Sequence, residues 1–237
     1  MLTTPDGREG WATLFLRDGF AVYTVDRPGL GRSPYNLEVF GAPGPPATYS
    51  SFVASFAGPS ADGLPPHTQW PGDGSRDDPA LAQFLAGQES MTGPVPRIQE
   101  NTRAGAAGLL DRIGPSVVLT HSLGAGFGWL AASERRHLVR AIVAVEPAGP
   151  PGIEVSFGPD PGDAKLGGLP VAVVSAECSG FGPACASTAS YVRSCGADVT
   201  ELRLAELGIH GNGHAMMCEK NNAEVAAVIT DWIGKVL

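Results

Sequence analysis

Residues 116–124 read Ser116-Val117-Val118-Leu119-Thr120-His121-Ser122-Leu123-Gly124, an apolar run that stops on a serine set among small residues. The β-favouring positions predict a buried strand, and the small-residue stretch from 123 to about 134 predicts a helix after it. A serine at such a junction can occupy a sharp, strained turn that lifts its hydroxyl above the end of a sheet. The alternative is a serine that does no more than cap the helix, and the strand–turn–helix context favours the nucleophile. Gly124 is expected to be required, because a side chain there would collide with the turn. Thr120 stands where the G-x-S-x-G pattern has its first glycine.

Outward from this junction, strand and helix signals alternate. A helix is expected from about 97 to 113. Downstream come the strands Val139 to Val145, Leu169 to Ser175 and about 199–205, with a helix around 184–195. Val225, Val228, Ile229, Trp232, Ile233 and Val236 form one apolar stripe of a last helix, and Asn221 with Glu224 reads as its capping box. Toward the N-terminus, Thr4-Pro5 reads as the cap and first position of a helix carrying Trp11, Leu14 and Phe15, ended by Gly19. Phe20 to Val25 then reads as a buried strand, closed by Asp26-Arg27-Pro28-Gly29-Leu30-Gly31-Arg32-Ser33. Such alternation predicts an α/β fold: a mostly parallel sheet with helices on both faces.

Periodicity breaks between 34 and 96. Residues 41–100 hold 10 of the 21 prolines, and only Asp78-Pro79 followed by Leu81, Phe84 and Leu85 looks like a capped short helix. The expected organisation is therefore a core of 1–33 and 97–237 with an irregular, lid-like insert at 34–96. His67-Thr68-Gln69-Trp70-Pro71-Gly72 lies within the insert, where Trp70 is expected either to wall a substrate pocket or to anchor the insert to the core.

The 237 residues suffice for one sizeable core, and 16 basic against 24 acidic residues give a net charge of −8. That is the wrong sign for a nucleic-acid or anionic-membrane binder. No run approaches the roughly 18 apolar residues of a spanning helix, and no signal peptide is visible at the first residues. Cys178, Cys185, Cys195 and Cys218 form no C-x-x-C pair and fit no common zinc spacing, so small buried thiols are expected.

A serine nucleophile needs a base within hydrogen-bond reach. His137 follows Glu134-Arg135-Arg136 and reads as a solvated helix end. His121 adjoins the serine, but neighbours in a tight turn usually point apart. His210 and His214 lie in Gly208-Ile209-His210-Gly211-Asn212-Gly213-His214, a loop whose three glycines could carry a side chain over a sheet edge, and His214 is favoured. A carboxylate must then fix the imidazole tautomer. Glu146 ends one strand and Glu177 follows the next; parallel strands end at one edge, so either could reach.

The chain resembles the α/β-hydrolase superfamily, through Asp26-x-Pro28-Gly29-x-Gly31-x-Ser33, the turn at Ser122 and the histidine loop before the last helix. More narrowly it is similar to a group of bacterial esterases with a Ser-Glu-His triad. That likeness rests on Thr4-Pro5-Asp6-Gly7-Arg8-x-Gly10-Trp11, His67-Thr68-Gln69-Trp70-Pro71-Gly72, Val145-Glu146-Pro147 and Gly211-Asn212-Gly213-His214. The resemblance implies Ser122 as nucleophile, His214 as base, Glu146 rather than Glu177 as the acid, and Leu123 N–H as an oxyanion donor. It also implies a small-molecule ester substrate and no metal or organic cofactor. Hydrolases of this kind normally have three strands before the first helix, the third ending in a loop that supplies a second oxyanion donor. None precedes residue 20 here, so the expectation is a chain N-terminally incomplete relative to that pattern and possessing one donor fewer. A non-catalytic binding protein of the same fold, or an inactive fragment, are the alternatives.

Overall fold

The computed structural model describes residues 2–45, 47–89, 95–150 and 166–237. Four parallel strands form one sheet: β1 (Ser116–His121), β2 (Val139–Val145), β3 (Pro170–Ser175) and β4 (Asp198–Arg203), side by side in chain order. The described helices are α1 (Trp11–Arg17), α2 (Leu37–Phe40), α3 (Tyr49–Phe52), α4 (Pro79–Ala86), α5 (Val95–Ile113), α6 (Ala125–Glu134), α7 (Gly182–Ser194) and α8 (Asn222–Val236). None of them is long and apolar enough to cross a membrane.

The period-2 alternation of the strands sorts the core into two layers. Val118, Ile142, Ala144, Val171 and Val173 point to one face, where Ala106 and Leu110 of α5, Trp129 of α6 and Val192 of α7 cover them. Ala141, Val143, Val145, Ala172 and Val174 point to the other, against Trp11 of α1, Met216 and the stripe Val225, Ile229, Trp232 and Ile233 of α8. Each large side chain so buried contributes roughly 1.5–3 kcal/mol. α6 approaches the sheet at Gly128, where a Cβ would lie 3.3 Å from Ile142 Cγ2, whereas one at Gly124 would meet nothing within 4 Å. The steric demand expected at Gly124 therefore falls one turn later, where helix and sheet touch.

Three further expectations are corrected. Residues 20–25 form no strand; they run without ladder partners among the described residues, and Tyr23 is 60% exposed. An apolar run becomes a strand only where a neighbour accepts its backbone hydrogen bonds, and here Phe20 alone packs into the core. α1 starts at Trp11 with Gly10 as its cap, not at Thr4. Thr4 instead closes a tight turn, its N–H donating to the Arg8 carbonyl at 2.9 Å and its hydroxyl to Asp6 Oδ1. Asn221 precedes α8 but does not cap it; its side chain is engaged by the Asn212 amide.

The 34–96 segment has more order than its prolines suggest. Asp78 caps α4 by accepting the Ala80 and Leu81 N–H groups. Ala57, Trp70, Ala80 and Leu81 make a small core of their own, lined by Tyr49, Val53, Phe84 and Leu85. A π-helical turn, Val53–Ala57, continues α3.

Candidate active site

Strand register places the site. His121 of β1 lies opposite Val145 of β2, and Val145 opposite Val174 of β3. The next residues, Ser122 and Glu146, therefore leave adjacent strands at the same carboxyl rim, where sheets of this type hold their ligands. Both have positive φ, 54° and 45°, and they are the only non-glycine residues with positive φ among those described. Such a conformation costs about 1–3 kcal/mol per residue and persists only where the surroundings impose it. Here it turns both side chains away from the strand axes and toward a common point.

That point is His214. Its Nε2 lies 2.9 Å from Ser122 Oγ, and its Nδ1 lies 3.1 Å from Glu146 Oε2. Glu146 is fully buried. Its Oε1 accepts the Ala176 N–H at 2.8 Å and faces the Cys185 thiol at 3.8 Å, while Oε2 also accepts the Ser179 hydroxyl in a short hydrogen bond. Burial, then the Glu146 charge, push the Cys185 thiol well above its ordinary range, so it faces the carboxylate protonated. A carboxylate accepting these donors assigns the proton of the imidazole to Nδ1, leaving Nε2 as an acceptor for the serine hydroxyl.

Aromatic rings fix the imidazole plane. Phe181 stacks on it with centroids 3.8 Å apart and planes 10° from parallel. Phe56, from the π-helical turn Val53–Ala57, lies 5.3 Å away. His121 does not point apart from the site: its ring is 4.6 Å from that of His214, and its Nε2–H donates to the His214 carbonyl at 2.8 Å. Loss of hydration, and secondarily the His214 charge, push the His121 pKa down to about 3, so it is neutral.

Glu177 holds the neighbouring histidine instead. Its Oε1 accepts the Gly211 N–H at 2.8 Å and faces His210 Nδ1 at 3.2 Å; the Gly211 bond first, then His210, keeps its carboxyl below the ordinary range. His137 is exposed. Leu123 sits in the 3₁₀ turn Ser122–Gly124 ahead of α6, where the first backbone N–H groups have no intrahelical acceptor. Trp70 is buried in the small core with Ala57, Ala80 and Leu81, its indole N–H on Asp78 Oδ2 at 2.8 Å. It is connected to the imidazole through ring contacts with Phe84 and then Phe56.

Sequence reasoning missed a second buried carboxylate. Glu219 accepts the Gly213 N–H and the Asn212 side-chain amide, and it faces His67 Nε2 at 2.9 Å. Nothing in an isolated glutamate of a polar loop distinguishes it from a surface one. The motif segments gave the usable signal, because they converge on it. Gly211 O accepts the N–H groups of Thr68 and Gln69, Gln69 O accepts that of Lys220, and Arg8 donates to the Cys218, Glu219 and Lys220 carbonyls. Among the described residues no three His, Cys, Asp or Glu side chains are grouped to hold a metal ion, and all four cysteines are free.

No protein-family model matches the chain. It is 37% identical, over an alignment of 285 residues covering 99% of this chain and 78% of the other, to a probable secreted lipase, phiG, of a fungal species (strain ATCC 74256). Among solved structures it is similar to a novel bacterial esterase determined at atomic resolution. The identity is 29% and the TM-score 0.75, over 99% of this chain and 76% of that one. A parallel sheet carrying a strained serine turn at its carboxyl rim, together with these relatives, places the chain in the α/β-hydrolase superfamily, beside its esterases and lipases.

Proposed function

We propose that this chain is a serine hydrolase that cleaves carboxylic esters through an acyl-enzyme intermediate. In this reading Ser122 attacks the ester carbonyl while His214 Nε2 takes its proton, and the same proton then goes to the leaving alcohol. Glu146 holds Nδ1–H and stabilises the imidazolium without itself becoming protonated. Leu123 N–H donates to the tetrahedral oxyanion. Water, activated by the same imidazole, then releases the acid and restores Ser122. The observation that carries the reading is the continuous Ser122–His214–Glu146 contact at 2.9 and 3.1 Å. The names of the two relatives support ester chemistry.

The insert at 34–96 is read as the cap over this site, because Phe56 brings it within ring contact of His214. Trp70 acts in this scheme as the anchor that holds Phe84, and through it Phe56, in place.

A fluorophosphonate probe and a short-chain p-nitrophenyl ester test the proposal. The wild type should label and turn over, and Ser122→Ala should abolish labelling and lower kcat by roughly 10⁴-fold or more. A cooperatively folded wild type that neither labels nor hydrolyses any ester would overturn it in favour of a binding protein.

A further inference from the structure

His67 lies outside the groups that would touch a substrate, yet its surroundings are unusual. The side chain is 4% exposed and its partner Glu219 is fully buried. Nδ1 lies 3.1 Å from the Gly58 carbonyl oxygen, and Nε2 lies 2.9 Å from Glu219 Oε1. A carbonyl oxygen has no proton to give. Glu219, taken as a carboxylate, has none either, and it accepts the Gly213 N–H on Oε1 at 2.9 Å and the Asn212 amide on Oε2 at 2.6 Å. Only the doubly protonated ring satisfies both nitrogens.

The position of this pair gives it a task. Gly213 immediately precedes His214, and a Cβ on Gly213 would stand 2.9 Å from the His67 ring, so the imidazolium lies close against the loop's backbone. Gly58 belongs to the insert and follows the turn that carries Phe56. One buried cation therefore joins the insert, the Glu219 carboxylate and the backbone beside His214. We propose that His67 is a positioning residue: as an imidazolium between Glu219 and Gly58 it clamps the insert onto the Gly211–His214 loop and holds His214 aligned on Ser122. The proposal rests on the reading of His214 as the base.

The charges around the pair agree with it. Desolvation acts downward on the His67 pKa, but the Glu219 hydrogen bond and charge, with the Gly58 carbonyl, outweigh it and raise the value above 6.5. Lys220 opposes weakly. Arg8, itself paired with Asp6, sits on the backbone carbonyls of 218–220 rather than on the carboxylate. Glu177 is committed to Gly211 and His210. Burial first, then Glu219, pushes the Cys218 thiol up to about 12, and burial raises that of Cys178, so both are neutral. A group with a raised folded pKa contributes its stability fully below 6.5 and loses it as pH rises through the folded value. The clamp should thus loosen on the alkaline side.

The test compares the wild type with His67→Gln in the full chain. Nitrogen NMR of the imidazoles should show both His67 nitrogens protonated near pH 7, with titration above 6.5. In His67→Gln the His214 ring resonances should shift, kcat on the p-nitrophenyl ester should fall about 10- to 100-fold, and KM should change little. The alkaline decline of the wild-type kcat should also disappear. A neutral His67 ring near pH 7 would overturn the proposal even if the variant failed to fold. So would a folded variant with wild-type kcat, alkaline limb and His214 resonances. A wild type inactive on all esters would sink the functional reading instead, while the two NMR measurements would still decide the clamp.

Discussion

At the scale of single residues, Glu146 and Glu177 make the most direct comparison. They end neighbouring strands at one rim, and residue reasoning alone leaves them equal. What separates them is which histidine each faces: Glu146 Oε2 meets His214 Nδ1 at 3.1 Å, whereas Glu177 Oε1 meets His210 Nδ1 and the Gly211 N–H. Glutamine at 146 could present an N–H to Nδ1 and move the ring proton to Nε2, the wrong tautomer for accepting from Ser122. Glu146→Gln should therefore lower kcat by roughly 10³- to 10⁴-fold. Glutamine at 177 keeps an oxygen for Gly211 and should cost only a few-fold. Steady-state kinetics on one ester check this, and equal losses or the reverse order would contradict the assignment. Ser122 and His214 can be singled out in the sequence because one ends an apolar run before a helix and the other lies in a glycine-rich loop, whereas only the family resemblance prefers Glu146 to Glu177. Glu219 and Ser179 cannot be singled out, since burial of a polar side chain is conferred by distant segments folding over it.

At the scale of elements, β1 to β3 and α8 follow from their apolar runs and stripe, because each buries a continuous face in the two-sided core, while α6 is legible only as a stretch of small residues after β1. The segment 20–25 shows the limit of that signal: hydrophobicity measures the tendency to be buried, while a ladder partner decides whether a strand exists. The histidine loop shows another limit. Its glycines suggest freedom, but their individual demands come from the neighbours. Gly211 has φ 77°, and a Cβ there would stand 2.0 Å from Thr68 Oγ1; Gly208 has φ 80° with nothing within 4 Å. Gly208→Ala should lose about 1–2 kcal/mol for its left-handed backbone alone and keep its kcat. Gly211→Ala bears the same backbone cost and must also displace the Thr68 segment from the loop. It should lose more stability and at least about tenfold in kcat. Urea denaturation with kinetics on both variants checks the difference, and matched behaviour would mean that contact between the Thr68 segment and the loop does not matter to the site.

At the scale of the whole molecule, the first eleven residues close against the last twenty. The Trp11 indole N–H donates to Asn222 O, the Asn222 amide donates to Glu9 O, and Arg8 donates to three carbonyls and to Asn222 Oδ1. Because residues 218–222 carry Glu219 and open α8, this contact fixes the underside of the histidine loop from a point more than two hundred residues away in sequence. Arg8 is thus a test of long-range bracing. Removing its guanidinium takes a donor from the carbonyls of Cys218, Glu219 and Lys220; that of Glu219 keeps the Asn222 N–H, so a cost of about 1–3 kcal/mol for a carbonyl that water cannot reach falls on the other two. Since the Arg8 side chain is about one-third exposed, water should recover part of this, and Arg8→Ala should cost about 2–4 kcal/mol in all. For a chain of this size that lowers Tm by roughly 4–16 °C. Arg17 supplies the control: it pairs with Glu9 at 2.6 Å, but both side chains are largely exposed, so Arg17→Ala should stay within about 0.5 kcal/mol. Calorimetric melts of the two variants decide the matter. Equal shifts would place the stability of this end of the fold in the packing of Trp11 and α8 alone, with the Arg8 hydrogen bonds no more than surface contacts.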